Sequence, residues 1–169
     1  MIKIGKRAIV GMLALVVVCS SLTSCGKEKT KEQTTVDMNE LNKELLAADT
    51  TLPEMKTVTS QDENAELSFT SLSDIDYSLV DSYFYSYAEN GDVQEVAVIA
   101  LKEEGDAAEA MESLHNHVEN RLGTLREYAP DKVELAEDAV ITNEGRYVLF
   151  TIAEKSGLIQ NAFKESIAE

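Results

Sequence analysis

The sequence predicts an α+β domain: a mainly antiparallel sheet of four to five strands, with a long amphipathic helix and a C-terminal helix packed on one face. Three observations carry this. Asn90-Gly91 and Asn143-Glu144-Gly145 each separate two strand-like runs, and such turns join neighbouring antiparallel strands because Asn and Gly accept positive φ. Residues 106–128 place Ala107, Ala110, Met111, Leu114, Val118, Leu122 and Leu125 at steps of three and four, with Glu109, Glu112, Glu119 and Arg126 largely off that stripe. A second helical run from about Ser156 carries Leu158, Ile159, Ala162, Phe163 and Ile167. Helices laid over one side of a hairpin-built sheet make a two-layer domain.

Taken in order, Asp37-x-x-Glu40 is a capping box, in which Asp receives the N3 amide and Glu returns to the cap. It opens a short helix with Leu41, Leu45, Leu46 and Ala48. Thr50-Thr51-Leu52-Pro53 stops that helix, since the residue before proline is pushed from helical angles. Residues 55–64 are polar and read as irregular. Residues 66–72 alternate in part, through Leu67 and Phe69, and read as a weak strand. Residues 82–88 form an aromatic-rich strand that turns at Asn90-Gly91 into residues 93–101. The run 96–101 is apolar on both faces and belongs inside the sheet. Ala129-Pro130 ends the long helix, residues 131–138 form a short helical turn, and residues 139–142 and 146–153 make the second hairpin.

Ahead of this domain the chain reads as an address. Lys3, Lys6 and Arg7 precede the nearly unbroken apolar run 8–19. That run is shorter than the ~20 residues a spanning helix needs and has the length of a signal-peptide core. Leu22-Thr23-Ser24-Cys25 follows: an aliphatic residue, two small ones, then cysteine. This resembles the lipobox of bacterial lipoproteins. The resemblance implies diacylglyceryl on the Cys25 sulfur as a thioether and cleavage that leaves Cys25 as the new N-terminus. Two acyl chains suffice for stable membrane attachment where one does not. The organisation expected is a leader at 1–24, a lipidated cysteine and polar tether at 25–36, and one domain at 37–169.

Composition narrows the partners. The chain has 15 Lys and Arg against 31 Asp and Glu; three of the cations lie in the leader, so the remainder holds twelve against thirty-one, a net charge of −19. Such a charge opposes nucleic acid and anionic lipid surfaces, so membrane contact falls to the lipid. Cys19 and Cys25 are the two cysteines; the first leaves with the leader and the second is lipidated, so the domain relies on core packing rather than a disulfide.

Leu52-Pro53-x-Met55, Ile75-Asp76, Glu95-Val96-Ala97-Val98, the helix bearing Arg121, Tyr128-x-Pro130 and Gly145-Arg146-Tyr147-Val148 occur in this order behind the lipobox. The arrangement resembles a family of small lipoproteins common in Gram-positive anaerobes and known as a domain of unknown function. The resemblance implies an envelope location. It also implies an association with membrane-bound O-acyltransferases, and so an accessory role in modifying envelope polymers. It supplies no catalytic residues, no ligand residues and no cofactor.

Catalytic patterns are sparse. His115 and His117 are the two histidines; two apart on a helix they diverge by about 200°, and they read as helix-surface residues rather than a chelating pair. Asp74-x-Asp76-x-Ser78 starts like a calcium loop, but Leu79 and Tyr85 stand where glycine and glutamate are needed, so no metal site is expected. Tyr83, Tyr85 and Tyr87 share one strand face. Exposed, they would make a platform for sugar rings or a peptide; covered, they are half-buried sheet residues, the reading favoured. Glu95 opens an apolar strand; either it contacts a ligand as part of a binding surface with the tyrosines or, the reading favoured, it pairs with a cation, with Arg121 the candidate. The expectation is a non-enzymatic binding or accessory domain at the membrane surface, with an envelope protein or glycan partner and no cofactor. The alternative is a hydrolase or transferase using acidic residues in a cleft.

Overall fold

The computed structural model describes residues 36–168. Five strands lie in the order β1-β2-β3-β5-β4: β1 Met55–Thr59, β2 Val80–Ala88, β3 Glu95–Leu101, β4 Val140–Glu144 and β5 Tyr147–Ile152. Every neighbouring pair is antiparallel. The helices are α1 Met38–Ala48, α2 Ala65–Phe69, α3 Ala107–Tyr128, α4 Val133–Glu137 and α5 Ser156–Ala168. The α+β class, the long helix and the C-terminal helix are as the sequence predicts. Both hairpin turns use a glycine at positive φ, +79° at Gly91 and +55° at Gly145, a region closed to most side chains.

The helices do not share one face. Residues of α3, Phe69 of α2 and Ala136 of α4 pack on Tyr83, Tyr85, Ala97, Ile99, Val148 and Phe150. Met38, Leu41 and Leu45 of α1, with Ile159 and Phe163 of α5, pack on Phe84, Val96, Val98, Ala100, Tyr147 and Leu149. The domain therefore has three layers, and the expected two-layer arrangement is corrected. The cause is in β3 itself: all seven residues are buried, and a strand apolar on both sides needs cover on both.

Two further expectations change. Residues 55–59, read as irregular, form edge strand β1 because their polar side chains find partners. Thr57 Oγ1 lies 2.7 Å from Ser86 Oγ, Ser86 Oγ donates to Asn42 Oδ1 at 2.9 Å, and Asn42 Nδ2 donates to Thr57 Oγ1 at 3.3 Å. This closed ring joins α1, β1 and β2. Residues 66–72, read as a strand, instead hold most of α2 and the turn after it. Phe69 and Leu72 are buried while Leu67 is 72% exposed, so the buried residues sit three apart, on a helical turn, not two apart.

Elsewhere polar groups fix the joints. At the start of α1 the Asp37 carboxylate accepts from the Asn39 and Glu40 amides, while the Glu40 carboxylate accepts from Lys43 Nζ at 2.7 Å. A shift of register between Val80 and Ser82 leaves Asp81 out of the ladder and aims it elsewhere. Its Oδ2 accepts from Arg146 at 2.8 Å, and the same Arg146 nitrogen donates to the Leu101 carbonyl at 2.6 Å.

Buried Asp49 ties the end of α1 to the start of α5. Its Oδ1 accepts from the Thr51 amide (2.8 Å) and hydroxyl (2.5 Å), and its Oδ2 from the Lys155 amide (3.0 Å). Burial alone would raise its pKa, but these bonds outweigh burial and hold the carboxyl below its usual range. A folded-state pKa lowered in this way gives stability that is present above the unfolded value of about 3.9 and lost as pH falls through the folded value. Asp49→Asn is expected to cost roughly 1–2 kcal/mol near neutrality and to flatten the acid limb below about pH 4. Urea melts at a series of pH values check this; an unchanged acid limb would contradict it.

Candidate functional site

The α3 face of the sheet carries a buried ionic cluster. Glu95 is the first residue of β3, pairs with Tyr87 and Ile152 across the ladder, and is 2% exposed. His117 Nε2 lies 2.7 Å from its Oε2, and Arg121 Nε lies 2.8 Å from its Oε1. His117 and Arg121 are four apart on α3, so one helix face delivers both to one carboxylate. The Arg121 N–H is not aligned on its oxygen, so this contact is an ion pair rather than a directed hydrogen bond. The Tyr85 hydroxyl is driven far above its ordinary pKa by burial, then by the Glu95 charge beside it and the hydrogen bond between the two. The His117 ring meets Phe150 edge-on at 5.3 Å and Tyr85 at 6.3 Å.

Arg121 is thus the partner of Glu95, reaching it from the helix above. His117 departs from the sequence expectation. His115 is exposed, but the His117 side chain is 12% exposed and turned onto Glu95. The expected divergence of the pair is what sends one of them inward. What sequence reasoning missed is that a stripe flanking the apolar one, Ser113, His117 and Arg121 at steps of four, also faces the sheet.

Beside this cluster runs a second polar network. Ser73 Oγ and Ser113 Oγ are 2.7 Å apart, Ser113 Oγ donates to Asp74 Oδ1 at 2.5 Å, and the Asp74 amide donates back to Ser113 Oγ at 2.9 Å. It pins the segment after α2 to α3. Between that segment and α3 lies a depression of about 120 Å³, lined among others by Ser71, Ser113, Asn116, His117 and Asn120. An adjoining one of about 280 Å³ is lined by Val58, Ser68, Ser71, Tyr85 and Tyr87. Ser71 lines both, and the adjoining pair is the candidate cleft. Asn116 and Asn120 are four apart on α3, but Ser68, Ser71 and Ser73 carry no spacing that points to them; only the fold brings the two sets together.

The three strand tyrosines do not form an open aromatic face. Tyr83 is fully buried; its hydroxyl donates to the Ala65 carbonyl at 2.6 Å, and burial pushes its pKa up to about 12. Tyr85 is also buried, and Tyr87 is half-buried at the cleft wall. Leu22, Thr23, Ser24 and Cys25 lie outside the described residues. Among the described residues no group of three or more His, Cys, Asp or Glu could hold a metal ion, and no helix is long and apolar enough to cross a membrane. Asp76, from the calcium-like run, instead accepts from the Ser78 amide at 2.8 Å.

Comparison with known proteins gives a family. No curated protein and no solved structure matches the chain. Residues 54–153 match the family described as a domain of unknown function, DUF4358. The matched stretch holds all five strands, α2 to α4, the Glu95 cluster and the cleft; α1 and α5 lie outside it. The chain belongs to the DUF4358 family.

Proposed function

We propose that this protein is a lipoprotein of the extracytoplasmic membrane face, anchored by diacylglyceryl on Cys25. Residues 26–36 tether a non-enzymatic binding or accessory domain that engages an envelope component through the cleft beside the segment that follows α2. The observation that carries the anchor is Leu22-Thr23-Ser24-Cys25 at the end of a short apolar run. With a net charge of −19 beyond the leader, lipid chains are the suited attachment, since a polyacidic surface is repelled by anionic headgroups. A binding role is supported by the state of the carboxylates at the cleft. Both oxygens of Glu95 are engaged, one by His117 and one by the Arg121 guanidinium, and Asp74 is bonded to Ser113, whereas a general acid or base needs a carboxyl free to exchange a proton. The resemblance to lipoproteins associated with O-acyltransferases favours an envelope polymer, or a protein that modifies one, as the component engaged.

Cys25→Ala tests the anchor. The substituted protein is expected to lose at least nine-tenths of its incorporation of a palmitate analogue and to leave the lipid-modified membrane pool. Unchanged incorporation would overturn the proposal.

A further inference from the structure

We infer that the cleft takes a neutral glycan chain; this rests on the reading of the domain as a binder and specifies what it binds. Of the depressions of about 120 and 280 Å³ that share Ser71 in their linings, the larger approaches the lower end of the ~300–1,000 Å³ typical of ligand sites, a fit for one or two sugar rings of an extended chain.

The lining matches sugar hydroxyls, which both donate and accept. Among the described residues the side-chain amides of Asn116 and Asn120 and the hydroxyl of Tyr87 make no hydrogen bond within the protein. Each amide offers two donors and an acceptor at a fixed spacing, one helical turn apart. His117 adds a ring held in one orientation by Glu95. A carboxylate can only accept, so Nε2 donates to Glu95, which leaves Nδ1 as the ring atom turned away from it. Arg121 and Phe150 hold the arrangement from either side, and the Ser73–Ser113–Asp74 network fixes the opposite wall. Fixed groups of this kind lower the ordering cost that weakens polar binding.

The aromatic component is at the other end. Tyr87 is half-buried, and its ring leans on Tyr85 with centroids 5.4 Å apart. Tyrosine presents an apolar face beside a polar tip, suited to the C–H face of a sugar. Charge selects against polyanions: Arg121 is engaged by Glu95, neither lining holds a Lys or Arg, and the chain as a whole is strongly acidic. A peptide is the poorer fit, because peptide grooves use apolar pockets or a free strand edge, and hydroxyls and amides dominate here.

The test uses the full-length protein in neutral detergent. Its amide NMR spectrum is titrated with neutral oligosaccharides of four or more sugars (β-1,4 N-acetylglucosamine, β-1,4 glucose and α-1,4 glucose series), a hyaluronan oligomer and a pool of uncharged decapeptides. At least one neutral series is expected to shift residues 70–74 and 113–120. Asn116→Ala with Asn120→Ala, both at exposed positions, should weaken that binding about tenfold with the melting temperature unchanged. Lys164→Ala on the opposite layer should leave it unaltered. Tighter binding of hyaluronan or the peptides at the same residues, or no cleft shift with any neutral series, overturns the glycan inference while leaving a binder standing. A photo-crosslinker at position 120 that captures no envelope component in living cells sinks the binding reading itself.

Discussion

Residues 54–153, expressed alone, are expected not to fold, although they contain the whole sheet. Cutting there removes α1 and α5, which cover Phe84, Val96, Val98, Ala100, Tyr147 and Leu149. Burial of a large apolar side chain is worth roughly 1.5–3 kcal/mol, so exposing this face forfeits on the order of 10 kcal/mol, comparable to the whole net stability of an ordinary domain at about 5–15 kcal/mol. The bared surface would also be a contiguous apolar patch prone to association. Residues 36–168 are expected to give a cooperative melt and dispersed amide signals, and 54–153 an aggregated or non-cooperative species. A cooperative melt from the shorter fragment would show that the second face needs no cover.

Glu95→Gln carries the next largest effect. The change leaves Arg121 and His117 facing a neutral amide in a site where the carboxylate side chain is 3% exposed. Removing one member of a buried ion pair typically costs about 3–5 kcal/mol; the partial exposure of Arg121, at 32%, places this case at the low end. About 3 kcal/mol corresponds to a fall of roughly 10 °C in Tm for a domain of this size. The companion variant replaces all three residues by apolar ones, Glu95→Leu with His117→Leu and Arg121→Met. It should recover much of the loss, because no charge is then stranded. Calorimetry of both separates a structural ion cluster from a dispensable one: a Glu95→Gln Tm within 2 °C of the parent would contradict the cluster's role.

The limits of sequence reading follow from what each residue needs. The long helix was legible because Ala107, Ala110, Leu114, Val118, Leu122 and Leu125 are all buried and repeat with the helical period. Both hairpins were legible because Gly91 and Gly145 supply positive φ. Strand β1 was not, since Thr57 is satisfied by Ser86 and Asn42 from elements distant in sequence; hydrophobic period carries no record of such bonds. Helix α2 was not, since Leu67 and Phe69 mimic an alternation that only the exposure of Leu67 dispels. The number of layers could have been drawn from the residues, because the two-sided apolar run of β3 was already inconsistent with one bare face. For the site, Glu95 and Arg121 were visible as an unbalanced pair. His117 and the cleft serines required the packing of α3 and of the segment after α2 against the sheet.

The measurement that bears most directly on the account is the mass of the N-terminal tryptic peptide from membrane-associated protein. Cleavage before Cys25 and the lysine at position 27 together define a tripeptide, residues 25–27. That tripeptide is expected to carry the added mass of diacylglyceryl on its sulfur. An unmodified peptide spanning residues 8–27, with the apolar run retained, would contradict it.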